Sequence, residues 1–67
     1  MELRINGQLV TVPDTTLTIN DLIYHYKLEN RMIIVEQNQT ILEKEEHGKT
    51  KVKNGDTIEL VQFVGGG

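Results

Sequence analysis

The chain has 67 residues, one proline and no cysteine, which allows one small domain but no disulfide framework, thiolate metal site or cysteine nucleophile. Its net charge of −3 argues against general nucleic-acid binding, because Lys and Arg contacts to phosphate supply most of that affinity. The first residues do not combine a basic region with an apolar run, and no segment approaches the roughly 18 apolar residues that span a bilayer. We therefore expect a cytoplasmic protein with no nucleic-acid or membrane partner.

The first predicted element is a β-hairpin. Apolar residues alternate with polar ones from residue 2 up to Asn6-Gly7, a dipeptide that supplies the positive φ angles of a tight turn. Residues 8–12 should return antiparallel. Pro13 then ends the strand, because proline has no N–H to donate to a ladder.

A helix is predicted at about residues 19–27. Thr18 and Asp21 have the spacing of a capping box, and four apolar residues follow the i, i+3, i+4, i+7 pattern of one buried helix face. We expect Asn30 to adopt the left-handed conformation that ends many helices. The four apolar positions are Ile19, Leu22, Ile23 and Tyr26.

Further strands complete the predicted fold. Met32–Val35 is an apolar run without alternation, which predicts a strand that is buried or partly covered on both faces and lies at the centre of the sheet. Residues 37–54 indicate only short, irregular strands and loops. The turn signal Asn54-Gly55-Asp56 precedes a last strand over residues 57–63. The order predicts an α+β roll with a mixed sheet of four to five strands and one main helix packed across one face.

The end of the chain carries the main functional prediction. Val64-Gly65-Gly66-Gly67 follows the last strand directly, and glycine passes where residues with a Cβ would collide. Four residues extend at most ~14 Å, enough to carry a terminal carboxylate into another protein's active site. We therefore predict one folded domain at residues 1–63 and a flexible tail at residues 64–67. A merely frayed chain end is the alternative.

The last strand also predicts a docking surface. Side chains on a strand alternate between its two faces, so Ile58 and Leu60 share one face while Val61 and Phe63 share the other. If the first pair faces the core, the second pair lies outside beside the glycines. Together with Val64, this apolar pair would form a partner-docking surface. The alternative is an outer face that neighbouring side chains cover.

The remaining polar residues indicate neither a catalytic nor a metal site. His25 and His47 have no spacing typical of a triad or a zinc site, so we interpret both as solvated or capping residues. The acidic run at residues 43–46 is more typical of a solvated loop than of a cation site, which needs more converging oxygens. Alternating lysines at residues 49–53 predict a solvent-facing strand that would at most steer an acidic partner.

Taken together, these features resemble the ThiS family of sulfur carrier proteins of thiamine biosynthesis, in the β-grasp (ubiquitin-like) superfamily. The resemblance covers essentially the whole chain. Where many family members have a glycine and then Val-Pro-Arg after the central strand, this chain has Gln39 and then Ile-Leu-Glu-Lys at residues 41–44, a departure confined to that loop. The matching residues are Ile5-Asn6-Gly7, Thr18-Ile19, Leu22, Ile33-Ile34-Val35, Asn38, Asn54-Gly55-Asp56 and Phe63-Val64-Gly65-Gly66-Gly67.

The resemblance implies a carrier that its partners modify. A ThiF-like adenylating enzyme would use ATP-Mg to form the acyl-adenylate of Gly67, and a persulfide sulfur donor would convert it to a thiocarboxylate. A ThiG-like thiazole synthase would then take the sulfur. Gly65 and Gly66 would be the tether that enters both active sites, while the chain itself would bind no cofactor and catalyse nothing.

Two alternatives to this function stay open. One is a related carrier that supplies sulfur to the molybdopterin or tungstopterin cofactor, although such carriers are usually longer and often have prolines before the glycines. The other is a ubiquitin-like modifier joined through Gly67 to lysines of target proteins.

Overall fold

Five strands and one α-helix make up most of the regular structure in residues 1–63, the part of the chain that the computed structural model describes. A single turn of 3-10 helix follows the fourth strand. In chain order the elements are β1 (Glu2–Ile5), β2 (Gln8–Thr11), α1 (Ile19–His25), β3 (Ile33–Gln37), β4 (Thr40–Leu42), the 3-10 turn (Lys44–Glu46) and β5 (Thr57–Gln62).

The strands form one mixed sheet in the order β2-β1-β5-β3-β4. β1 and β5 are parallel, and the other neighbouring pairs are antiparallel. The predicted mixed sheet with one main helix is confirmed, but the prediction that Met32–Val35 forms its centre is wrong. β5 is the central strand, because it pairs with β1 from the far end of the chain, and local sequence patterns do not reveal such long-range pairing.

The β1–β2 hairpin turns at the predicted dipeptide. Asn6 and Gly7 have φ angles of 51° and 84°, the left-handed region that asparagine and glycine adopt most readily. The register pairs Ile5 with Gln8 on either side of this two-residue turn. The turn therefore fixes which residues of β1 face the core.

Helix α1 begins as predicted and ends earlier. The N–H of Asp21 donates to Thr18 Oγ1 at 3.2 Å, and the N–H of Thr18 donates to the Asp21 carboxylate at 3.0 Å, which completes a capping box. The helix ends at His25, because Lys27 takes the left-handed conformation with φ of 60°. Asn30 does not have a positive φ, and Tyr26 is exposed rather than on the buried face.

The core lies between α1 and one face of the sheet. Each fully buried aliphatic side chain contributes on the order of 1.5–3 kcal/mol through removal of apolar surface from water. The buried apolar residues are Leu3, Ile5, Val12, Ile19, Leu22, Ile23, Val35, Val52 and Ile58.

Strand β3 is fully covered on one face only. Val35 is fully buried, but Ile34 is 44% exposed and Met32, which precedes the strand, is 70% exposed. The expectation that this run is buried or partly covered on both faces holds for Val35 and Ile34 but not for Met32, which is mostly exposed. The helix packs against one side of the sheet, and the other side carries no second layer within residues 1–63.

The segment between β4 and β5 packs against the start of α1. His47 is buried, so the solvated role is wrong, but the capping role is confirmed, because His47 is the C-cap of the 3-10 turn and its N–H donates to the carbonyl of Lys44 at 3.2 Å. Its own carbonyl accepts a hydrogen bond from the N–H of Asn20 at 3.0 Å. The three lysines at residues 49–53 are exposed, as predicted, but the segment is not a strand, since Lys51 forms only an isolated bridge with Thr18. His25 is exposed, as predicted. Neither helix in residues 1–63 has the length and apolar character to cross a membrane.

Candidate functional site

Strand β5 leads directly to the C-terminal residues. It lies between β1 and β3, and just beyond it the N–H of Phe63 donates to the carbonyl of Met32 at 2.9 Å. The backbone is therefore held in the sheet as far as Phe63. The predicted docking residue Val64, the predicted tether Gly65 and Gly66, and the predicted reacting residue Gly67 lie outside the described residues.

Four apolar side chains, which we call the outer patch, lie on the sheet face opposite α1. Val61 is directly opposite Ile34 in the β3–β5 register, and alternation places Phe63 and Met32 on the same face. Val61 and Phe63 are 52% and 57% exposed, while Ile58 is fully buried. The outer patch consists of Met32, Ile34, Val61 and Phe63.

The exposure of the outer patch decides between the two interpretations of this face. Neighbouring side chains do not cover Val61 and Phe63, so the covered-face alternative is wrong. Exposed apolar side chains that cluster mark interaction sites more often than isolated ones do. Two of its residues, Val61 and Phe63, also come just before the tail in sequence. Its role in docking a partner stays a prediction.

Two carboxylates adjoin the outer patch. Glu36 and Glu59 are directly opposite each other in the register, each two residues from a patch residue and so on the same face. Like charges at opposite positions destabilise a sheet, and neither carboxylate has a salt-bridge partner within residues 1–63. The arrangement favours a partner that brings positive charge beside an apolar surface. The sequence did not reveal this pair, because its juxtaposition depends on the register.

A network of amides surrounds Asp56 at the opposite end of β5. The Asp56 carboxylate accepts hydrogen bonds from Gln37 Nε2 at 3.0 Å, Asn38 Nδ2 at 3.0 Å and the N–H of Lys53 at 2.8 Å. Burial by itself raises the pKa of Asp56, but these hydrogen bonds favour the charged form more strongly, so the net pKa is lowered. A carboxylate held in this way stabilises the turn before β5 and is poorly suited to accept a proton.

A shallow groove of about 450 Å³ lies on the helix side of the sheet. Its wall is mainly aliphatic, its rim carries side-chain amides, and Tyr26 is its one titratable side chain among the described residues. It therefore offers no acid, base or nucleophile pair for catalysis. The groove is lined by Ile5, Asn6, Gln8, Val10, Tyr26, Leu28, Ile33, Leu60 and Gln62.

No group of three or more His, Asp and Glu side chains in residues 1–63 is placed to hold a metal ion. His47 Nε2 is buried without a hydrogen-bond partner, but no carboxylates converge on it as metal ligands would. Glu43 and Glu46 instead bond reciprocally across the 3-10 turn, where the Glu46 carboxylate accepts from the N–H of Glu43 at 3.0 Å. These side chains shape the loop.

Solved structures with the same architecture define the class of protein. The crystal structure of a thiamine biosynthesis protein (ThiS) from Geobacter metallireducens matches with a TM-score of 0.83 and 36% identity over 100% of both chains. An NMR solution structure of a thiamine biosynthesis protein from the same organism matches with the same TM-score and identity over 100% of this chain and 88% of that one. The fold is therefore a β-grasp, with an exposed apolar patch immediately before the C-terminal residues.

The sequence comparisons are more specific. Residues 3–67 match the model of the ThiS family. The sulfur carrier protein ThiS of Bacillus subtilis (strain 168) is 45% identical over 65 residues, 97% of this chain and 98% of that protein. A thiazole synthase of Paramagnetospirillum magneticum is 33% identical over 67 residues, which are 100% of this chain but 20% of that protein. The chain belongs to the ThiS family, and the resemblance seen in the sequence is confirmed.

Proposed function

We propose that this protein is the sulfur carrier of thiamine biosynthesis, and that the carboxylate of Gly67 is the group that carries the sulfur. The observation that carries the proposal is the match to the ThiS family model, which extends to Gly67 itself. The 45% identity with the Bacillus sulfur carrier over nearly the full length of both chains supports the same function.

The chemistry requires an activating enzyme. A carboxylate is a poor electrophile, so a ThiF-like partner uses ATP-Mg: the Gly67 carboxylate attacks the α-phosphorus and pyrophosphate leaves. The terminal sulfur of a persulfide then attacks the acyl carbon and displaces AMP. A second thiol cleaves the S–S bond, which leaves a thiocarboxylate on Gly67 and a disulfide on the donor. Covalent steps of this kind divide one difficult reaction into easier ones.

Thiazole synthase is the proposed acceptor of the sulfur. The thiazole synthase of Paramagnetospirillum contains a region similar to this whole chain, and that region makes up 20% of its length. A thiazole synthase and a region similar to this carrier therefore occur in one polypeptide, which supports the proposal that a separate ThiG-like enzyme receives this carrier. Gly65 and Gly66 are the proposed tether, because residues without side chains pass through a narrow entrance to either active site.

The outer patch is the proposed docking surface. Phe63 and Val61 project from the sheet directly before the tail, so a partner that covers them brings Gly67 within about 14 Å of its own surface contacts. The adjoining Glu36 and Glu59 favour a partner with basic residues around an apolar centre. Val64 would extend this contact toward the partner's active site.

In this proposal the carrier is a substrate of its partners and not an enzyme. Among the described residues, the groove and the Asp56 network contain no arrangement of nucleophile and base. ATP-Mg binds the adenylating enzyme rather than this chain. Because activation consumes ATP and persulfide sulfur, we place the carrier in the cytoplasm.

The proposal is tested by ATP–pyrophosphate exchange with a ThiF-like adenylating enzyme. The wild-type chain should support exchange, whereas deletion of Gly67 should abolish it, because the terminal glycine carboxylate then falls one residue, about 3.5 Å, short of the ATP. Gly67→Ala is the matched control that keeps the length and adds one methyl group. Exchange at the wild-type rate without Gly67 would contradict the proposal.

A further inference from the structure

The side chain of Asn6 joins the β1–β2 turn to the end of β5. Asn6 Nδ2 donates to the carbonyl of Leu60 at 3.2 Å, and the N–H of Leu60 donates to Asn6 Oδ1 at 2.9 Å. One amide side chain therefore satisfies both backbone groups of one β5 residue. The two residues are 54 positions apart in sequence.

This pair of bonds continues the β1–β5 ladder beyond the end of β1. The N–H of Asn6 donates to the carbonyl of Ile58 at 3.0 Å, as expected in a parallel pair. The main chain then turns away at Asn6, whose φ is 51°. A primary amide has the donor and acceptor of a peptide group, so the Asn6 side chain takes the place of the missing strand residue opposite Leu60.

The contact between Asn6 and Leu60 holds the end of β5 that leads to Val61 and Phe63 of the outer patch. On its other side, β5 is held by β3, through the pairing of Val61 with Ile34 and the bond from Phe63 to Met32. Without Asn6, the part of β5 from Leu60 onward would have hydrogen bonds on one edge only. We propose that Asn6 is a positioning residue for activation: it holds the end of β5 so that Val61 and Phe63 meet the adenylating enzyme in one fixed orientation.

This role rests on the proposed function and predicts a specific kinetic signature. Asn6→Gly removes the amide but keeps a residue that adopts positive φ without strain, so the turn should form. The KM for the carrier in the adenylation assay should rise by about 3- to 10-fold, because docking must then order the end of β5. The kcat should stay within about two-fold, since the reacting groups are unchanged.

Two variants separate positioning from general stability. Asn54→Ala removes a similar bond at the other end of β1, where the N–H of Glu2 donates to Asn54 Oδ1 at 2.7 Å. It should lower the melting temperature by a similar amount and leave the KM unchanged. Asn6→Asp keeps an acceptor for the Leu60 N–H but turns a second carboxylate oxygen toward the Leu60 carbonyl, where two acceptors repel each other, so its KM should rise at least as much as that of Asn6→Gly.

Amide hydrogen exchange gives a readout that does not depend on the partner. In Asn6→Gly, the Leu60 N–H should exchange faster, and so should the Phe63 N–H, while the N–H groups of α1 keep their wild-type protection. A KM equal to wild type in folded Asn6→Gly, or an equal rise in KM in Asn54→Ala, would overturn the positioning role. A wild-type chain that the enzyme does not adenylate would instead overturn the proposed function on which it rests.

Discussion

The two faces of the sheet differ in what covers them. The face toward α1 carries Leu3, Val35 and Ile58, all fully buried, whereas the opposite face carries the outer patch, whose residues Val61 and Phe63 are more than half exposed. β3 and β5 each contribute residues to both sets, and side chains alternate between the two faces residue by residue along β5. The strand therefore contributes at once to the core and to the surface beside the tail.

This division means that stability and recognition are carried by neighbouring residues of one strand. A protein of 67 residues has little stability to lose, about 3–10 kcal/mol by the usual range per residue. If the outer face serves recognition alone, substitutions there should leave folding intact. Substitutions on the inner face should destabilise the fold. The predictions below test whether stability and recognition separate in this way.

Ile58→Ala should have the largest effect. Ile58 is fully buried at the centre of the sheet, and removal of such a side chain costs about 2–5 kcal/mol, a large part of the expected total. Val61→Ala, three residues along the same strand, should cost less than about 1 kcal/mol because Val61 is half exposed. Urea unfolding of both variants measures the difference. Equal losses of stability would mean that the two faces are not energetically distinct.

Phe63→Asp should affect binding rather than folding. A charged group in place of an exposed aromatic side chain at the outer patch should weaken docking to the adenylating enzyme by roughly 10- to 100-fold, while the unfolding midpoint changes little. Leu9→Asp is the matched control, since Leu9 is similarly exposed on the same face but lies on β2 at the sheet edge. Titration calorimetry with the enzyme compares them. If Phe63→Asp unfolded the protein, or if Phe63→Asp and Leu9→Asp weakened binding equally, the outer patch would no longer stand out as the docking surface.

The Asp56 network should make stability depend on acid pH without involving the outer patch. The pKa of Asp56 is lowered in the folded state, so its contribution is complete above the ordinary Asp pKa of about 3.9. This stabilising contribution is lost as the pH falls through the lower pKa of Asp56 in the folded state. Asp56→Asn should cost about 1–3 kcal/mol at neutral pH and flatten the acid dependence.

The pH test of Asp56 is a series of urea unfolding curves from neutral to acid pH. Asp14 and Asp21 also have lowered pKa values, through the N-terminal ammonium group and through the N–H groups of Leu17 and Thr18 respectively, so the variant should keep part of the acid dependence. Parallel curves for wild type and Asp56→Asn would show that Asp56 is not a source of that dependence.

The last prediction concerns the helix cap. Thr18→Ala removes the hydroxyl that accepts from Asp21 N–H and should cost about 1 kcal/mol. Thr18→Ser, which keeps the hydroxyl, should recover most of that loss. Thermal unfolding measures both. Because the cap supports only the helix-covered face, neither variant should change the KM for adenylation, and a changed KM would mean that α1 also serves recognition.

The sequence predicted those parts of the molecule that local chemistry determines. The Asn6-Gly7 turn, the Thr18 capping box and the alternation of the last strand each appear where the pattern placed them. The central position of β5 and the burial of His47 were not predicted. Both depend on segments that meet only after folding, and His47 carries no periodic signal that would mark it as buried.

In the candidate site, too, the sequence predicted local features but not contacts between distant segments. The outward position of Val61 and Phe63 followed from strand alternation alone. The Glu36–Glu59 pair and the contact of Asn6 with Leu60 required the register between strands that are distant in sequence. The tail prediction concerns Gly65, Gly66 and Gly67, which only chemistry on the intact chain can test.

The most direct test of the sulfur-carrier function is the intact mass of the protein after incubation with ATP, magnesium, a ThiF-like enzyme, a persulfide donor and a thiol reductant. We expect a mass gain equal to the replacement of one oxygen by one sulfur, located on Gly67 and absent when Gly67 is deleted. An unchanged mass, with an enzyme that modifies the Bacillus carrier under the same conditions, would contradict the account. Isopeptide adducts on lysines of other proteins would then favour a ubiquitin-like modifier.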